Sequence, residues 1–240
     1  MADGDLPGDG DQPFGGWAAA FIAGEQVELT PLRAEKRRLA DAIRRATETL
    51  VSADLPLDEL TRAANDLEAV VERFEALPPA AYEGFGEVAT APRAEGFFDR
   101  SPVLGRANPI APPLVMQTGD QRIVATATFG SAYEGPPGCV HGGWIAASFD
   151  EVLGAAQSLS GTGGMTAFLH VDYRSPTPLH QEVRFIGELD RREGRKVFTL
   201  GRLMHGDVLC AEAQALFIAI DPSRFAAMER TRPGPRRPPG

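Results

Sequence analysis

Apolar residues recur along this chain with two different periods, and the change from one to the other divides it. Between residues 30 and 78 the period is helical. Thr30-Pro31 reads as a cap followed by proline at the first helical position, after which Leu32, Leu39, Ile43, Ala46 and Leu50 mark one face. A second helix, starting near Asp54 or Asp58, carries Leu60, Ala64, Leu67, Val71, Phe74 and Leu77 at four- and three-residue steps. Two such helices predict a hairpin that docks its stripe on the main domain or on another chain. From about residue 113 the period is two, with Ile123, Ala125, Ala127 and Phe129 opposed to Val124, Thr126 and Thr128. Further strands are predicted over Met165–Arg174, Val183–Arg191, Arg195–His205 and Val208–Ile220, divided by Glu193-Gly194 and Gly206-Asp207 as an antiparallel meander. Among the strands lies one helix. Trp144–Leu159 has no proline and spaces Ile145, Ser148, Phe149, Val152, Ala156 and Leu159 at helical intervals.

An antiparallel sheet wrapped around one long helix is an α+β architecture, the hotdog fold. The expected organisation is an acidic, glycine-rich flexible tail over residues 1–28, a helical hairpin over 29–80, the hotdog domain over 81–221 and a Pro/Arg-rich flexible tail over 222–240. Composition narrows the function. Acidic residues outnumber basic ones 33 to 24, so a nucleic-acid role has no electrostatic footprint. No segment approaches the roughly 20 apolar residues of a membrane span. The two cysteines, Cys139 and Cys210, lack metal-ligand spacing and no signal peptide is read, which makes a reducing cytoplasm the expected location.

The candidate chemistry sits where loop becomes helix. The run Pro136–Gly143 cannot be helical, so a helix starts near Gly142 or Gly143, and its first N–H groups have no intrahelical partner. Glycines there let a substrate oxygen approach those donors and the positive end of the helix dipole, as an oxyanion hole requires. Asp150 stands on the same helix beside small neighbours, Ala146 and Gly154. His141 lies roughly 13 Å from Asp150 along the axis, at about 1.5 Å per residue, too far for both to engage one carbonyl. A second subunit must supply the other half.

The ordered set Glu134-Gly-Pro-Pro-Gly138, His141-Gly-Gly143, Phe149-Asp150, Met165-Thr166-Ala167 and Tyr173 ahead of Pro176 resembles the PaaI-like hotdog thioesterases, the human thioesterase superfamily members among them. The likeness covers roughly residues 95–220. It implies a homodimer, or a tetramer built from it, that hydrolyses acyl-coenzyme A or acyl-carrier-protein thioesters, as in fatty acid metabolism, without metal or cofactor. It further implies that Asp150 activates water or attacks the thioester, that Gly142 or Gly143 N–H holds the oxyanion, and that Thr166 orients the water.

Several residues carry two readings. His141 is suited to be a general base, or its ring shapes the loop by bonding the backbone, which is favoured. Strict alternation sets Thr166 with Phe168 and His170, opposite the helix-facing Met165, Ala167, Leu169, Val171 and Tyr173. Trp144 is a candidate substrate contact or a core residue. Arg174 suits a coenzyme A phosphate or stays a solvated strand residue. Glu151, about 100° round the helix from Asp150, is read as solvent-facing. The same residues bear on two other functions. A non-catalytic acyl-thioester sensor would bind without turnover; a hydratase would need a histidine close after Asp150, and none occurs before His170.

Overall fold

A computed structural model describes residues 29–78, 99, 101–119 and 122–220. The expected tails, 1–28 and 222–240, lie outside these residues, and so do residues 79–98, where the range assigned to the hairpin meets that of the hotdog domain. Helix α1 spans Pro31–Ser52 and starts as its sequence dictates, with Thr30 Oγ1 accepting from the Arg33 N–H at 3.4 Å ahead of Pro31. Helix α2 spans Leu57–Glu75 and places Asp58 and Glu59 in its first turn, where the dipole favours acids.

Six strands follow: β1 (Val115–Gly119), β2 (Arg122–Thr128), β3 (Gly164–Tyr173), β4 (Glu182–Glu193), β5 (Lys196–His205) and β6 (Val208–Ala219). Helix α3 (Gly142–Ser158) separates β2 from β3. All neighbours are antiparallel, in the order β1-β2-β4-β5-β6-β3. The last three strands meander as expected, but β3 does not begin that meander. It crosses to the far edge and pairs with β6, because α3 occupies the concave face between them.

The core is the face of α3 against this sheet. Ile145, Phe149, Val152, Leu153 and Ala156 are buried against Ile123, Ala125, Phe185, Val197, Leu203 and Phe217. The period-two reading of β2 holds: Ile123, Ala125 and Ala127 are buried, while Val124 and Thr126 are not fully covered.

The face of α1 formed by Arg33, Arg37, Ala40, Arg44 and Glu48 docks on the domain through polar contacts. Arg44 reaches the carbonyls of Gly105, Arg106 and Asn108 at 3.1, 2.8 and 2.8 Å. Arg33 and Arg37 both bridge the buried Asp99, at 3.0 and 2.8 Å. Glu48 accepts the Ser131 and Ala132 N–H groups, at 2.8 and 3.1 Å, at the start of a 3-10 turn over Ser131–Tyr133; burial raises its carboxyl, but these bonds, with the Ser131 hydroxyl and His180, outweigh it and hold the group below the ordinary value. By contrast, α2 has no buried residue, and its apolar stripe is not covered by α1.

Candidate active site

His141 is the N-cap of α3, in extended backbone, and its ring Nδ1 accepts the Gly143 N–H at 3.0 Å. This is the loop-shaping role expected of the ring, and it commits the Gly143 N–H. Gly142 differs. Its N–H has no protein acceptor among the described residues, while the His141 carbonyl of the same peptide accepts from Trp144 and Ile145 at 3.0 and 3.4 Å. Those two bonds fix the peptide plane, so the Gly142 N–H points out of the helix end with the dipole behind it. The Gly142 carbonyl is held by the Tyr173 hydroxyl, which donates at 2.8 Å. A Cβ at residue 142 would lie 3.2 Å from that hydroxyl oxygen, so a side chain there would press the tyrosine back by a few tenths of an ångström. Alternation along the strand places Tyr173 on the side of the helix, but its bond to the loop is visible only in the fold.

Asp150 is half-buried two turns further along α3. Thr166 Oγ1 donates to its Oδ1 at 2.9 Å. Strict alternation had set Thr166 on the far face of β3, and the structure corrects that reading. The pairing of β3 with β6 slips between Thr166 and Phe168, leaving Ala167 as an extra residue. Such a bulge turns the residue before it to the opposite face, so Thr166 joins Leu169, Val171 and Tyr173 on the side of α3.

Glu151 is also corrected. It is covered rather than solvated, with Oε1 3.3 Å from Ser101 Oγ. That hydroxyl accepts the Val103 and Leu104 N–H groups, at 3.2 and 3.1 Å, so its own hydrogen is available to the glutamate. Burial, and then the neighbouring Asp150 charge, push the Glu151 carboxyl up to about 7 against a pull from Ser101. Folding therefore favours the protonated form. The unfolded chain loses this proton near the ordinary 4.5, so stability from this group is full below that pH and falls until the folded group ionises near 7. Glu151→Gln is expected to raise stability at pH 8 by up to about 3 kcal/mol, at 1.36 kcal/mol per pKa unit, and to leave it nearly unchanged at pH 4.5. Urea unfolding of both proteins at the two pH values checks this.

The remaining sequence candidates divide. Trp144 stacks edge-to-face on Tyr133 at 5.2 Å, and Tyr133 on Phe129 at 5.6 Å, which gives the indole a packing role, one of its two readings from the sequence. Arg174 pairs with Glu212 at 3.0 Å and lies 3.7 Å from Asp172, so a phosphate would have to compete with two carboxylates for it. Among the described residues no three His, Cys, Asp or Glu side chains converge as metal ligands. No described helix is long and apolar enough to cross a membrane.

The stretch of chain that carries this helix end and strand is similar to known proteins. The model of the thioesterase superfamily matches residues 137–212, the stretch from the glycine loop to β6. A solved thioesterase superfamily protein is 34% identical, with a TM-score of 0.67, over 76% of this chain and 94% of its own. This chain belongs to the thioesterase superfamily. Among curated members, acyl-coenzyme A thioesterase THEM4 of Xenopus laevis is 42% identical over 105 residues, 43% of this chain and 47% of that protein. THEM4 of Rattus norvegicus is 38% identical over 107 residues, 44% of this chain and 46% of that protein. The match thus spans about half the length of these curated relatives. It lends the superfamily's hotdog fold a name here: six antiparallel strands curled around α3.

Proposed function

We propose that this superfamily member hydrolyses acyl-coenzyme A, or acyl-carrier-protein, thioesters to a carboxylate and a free thiol. The observation that carries the reading is the Thr166–Asp150 hydrogen bond, which holds a half-buried carboxylate on the same helix as the open Gly142 N–H. Asp150 either takes a proton from the attacking water, which adds to the carbonyl carbon, or attacks that carbon itself to form a mixed anhydride that a water then hydrolyses; in both routes the C–S bond breaks, the thiolate leaves and takes up a proton derived from the water, and the acyl group is released as the carboxylate. Negative charge gathering on the carbonyl oxygen is met by the Gly142 N–H and the helix dipole. The names of the THEM4 relatives, acyl-coenzyme A thioesterases, support this substrate class.

Eight residues separate Gly142 from Asp150, about 12 Å along the helix at 1.5 Å per residue, so one carbonyl cannot meet both within a chain. The working unit in this proposal is a homodimer in which Gly142 of one copy faces Asp150 of the other. Edge strand β3 supports it: none of its ten residues is buried, and Met165, Phe168 and Tyr173 are exposed along a free edge, a template for pairing. Both cysteines are free, which fits a reducing compartment such as the cytoplasm.

Thiol release from short, medium, long and aryl acyl-coenzyme A thioesters tests the reading. Turnover of at least one class is expected. Binding without thiol release, from these and from acyl-carrier protein, would replace hydrolysis with sensing. Within the site, Thr166→Val is expected to lower kcat about tenfold with little change in KM, the loss of one hydrogen bond to a charged group. Steady-state kinetics on the best substrate reads that split.

A further inference from the structure

Two apolar stripes on the helices are left open. On α1 the positions 32, 36, 39, 43, 46 and 50 alternate four- and three-residue steps, apolar throughout except Lys36, with Leu32, Leu39 and Leu50 exposed. On α2 the positions 57, 60, 64, 67, 71 and 74 alternate three and four, and Leu57, Leu60, Leu67, Val71 and Phe74 are all exposed. Both are heptad seams of the kind that pack helix on helix. The α1 seam is separate from the face that docks on the domain.

Within the chain the seams do not close on each other. Ala53 and Pro56, which bound the short connection, are both extended, at φ −111°, ψ 148° and φ −69°, ψ 150°. The residues nearest that connection, Leu50 and Leu57, stay 60% and 80% exposed, whereas a closed hairpin would cover them first. The seams nevertheless match each other in period, length and charge. Helix α1 carries six basic side chains against three acidic, and α2 six acidic against two basic. Aligned antiparallel with Leu39 opposite Leu67, the odd Lys36 falls level with Val70, between Glu68 and Glu75, and the small Ala46 meets Leu60.

We infer that the occupant of these seams is a second copy of this chain: α2 of each copy lies along α1 of the other, a reciprocal exchange of one helix. The same contact is then made twice about a two-fold axis, and two apolar faces that cannot be buried within one chain are buried together. Complementary charge selects this partner over an unrelated apolar surface. The inference stands apart from the thioesterase reading, since none of these residues belongs to the candidate site.

The test is cross-linking between differently tagged chains, co-expressed in a Cys139→Ser background. One chain carries Leu39→Cys and the other Leu67→Cys; a second pair carries Ala46→Cys and Leu60→Cys. A disulfide joining the two tags is expected in at least one pair. No joined product in either pair overturns the inference, and so does a third sample, a single chain carrying both Leu39→Cys and Leu67→Cys, in which the disulfide forms only within the chain. Hydrogen exchange supplies an independent reading. A lone 19-residue helix with no buried side chain is marginal in water, so exchange of the α2 amides at the rates of an unfolded peptide overturns it as well. Protection is expected in the native protein, and Leu67→Asp is expected to abolish it in α2 while the sheet amides keep theirs.

Discussion

Asp150→Ala is expected to lower kcat for thiol release by about a thousandfold, with KM for the acyl-coenzyme A substrate changed by no more than a few-fold. A positioned general acid or base contributes typically ~10²–10⁴ in rate, and nothing else on this face of α3 is placed to replace the carboxylate. Thr166 holds its Oδ1. Glu151, the next residue, points under the segment of Ser101 and is not available to the same carbonyl. Because Asp150 is half-buried and bonded only to an exposed threonine side chain, its removal leaves the core intact, so ligand affinity and thermal unfolding serve as controls. Asp150→Asn keeps the shape and the Thr166 contact but not the charge, and is expected to be nearly as slow. Glu151→Gln should keep at least a third of the native kcat at pH 8. If Asp150→Ala retained a tenth of the native rate, the acid would have to be sought elsewhere and the site assigned here would fall.

The fold class and the place where α3 begins were legible in the sequence, and the reason is physical. The loop Pro136–Gly143 and the helix start are local: prolines and glycines forbid helix, and the first free N–H groups follow from where the helix begins. Asp150 could be placed on that helix by counting. What escaped depends on contacts distant in sequence. The bulge at Ala167 that brings Thr166 round to Asp150 leaves no mark in composition, and alternation alone put the residue on the wrong face. Strand β1 is five residues with no buried position, so it offers no contrast between faces to read. The covering of Glu151 comes from Ser101, fifty residues away, and the bond from Tyr173 to Gly142 spans thirty-one. For the helices at the N-terminal side, periodicity gave the stripes correctly but could not say what they touch.

Gly187→Val and Gly201→Val are each expected to destabilise the protein by about 3 kcal/mol, and neither effect is visible from local sequence. These glycines stand directly opposite each other on β4 and β5, and together they make a notch in the concave face of the sheet. Helix α3 lies in it. A Cβ at residue 201 would sit 2.9 Å from the ring of Phe149 and 3.1 Å from Leu153, and one at residue 187 would sit 2.9 Å from the Val152 side chain and 3.0 Å from its carbonyl oxygen. All three helix residues are fully buried, and the Phe149 ring is locked edge-to-face on Phe185 at 5.2 Å, so neither side can give way without repacking. Overpacking of a filled core costs typically 1–3 kcal/mol, and a β-branched side chain directed at a helix backbone belongs at the upper end. Urea denaturation at pH 7 measures the change, and a loss under 1 kcal/mol at both positions would mean that α3 is not seated in the notch. The two sites differ in how they can be relieved. At 201 the obstacle is a side chain, so Phe149→Leu should recover part of the stability of Gly201→Ala; at 187 the carbonyl of Val152 cannot be trimmed, and no side-chain change in α3 should rescue the valine. Because α3 carries both Gly142 and Asp150, lifting it off the sheet also moves the oxyanion donor and the acid away from Tyr173 and Thr166, the two β3 residues that hold them. The folded fraction of either variant should therefore lose kcat more steeply than it loses affinity for the acyl thioester.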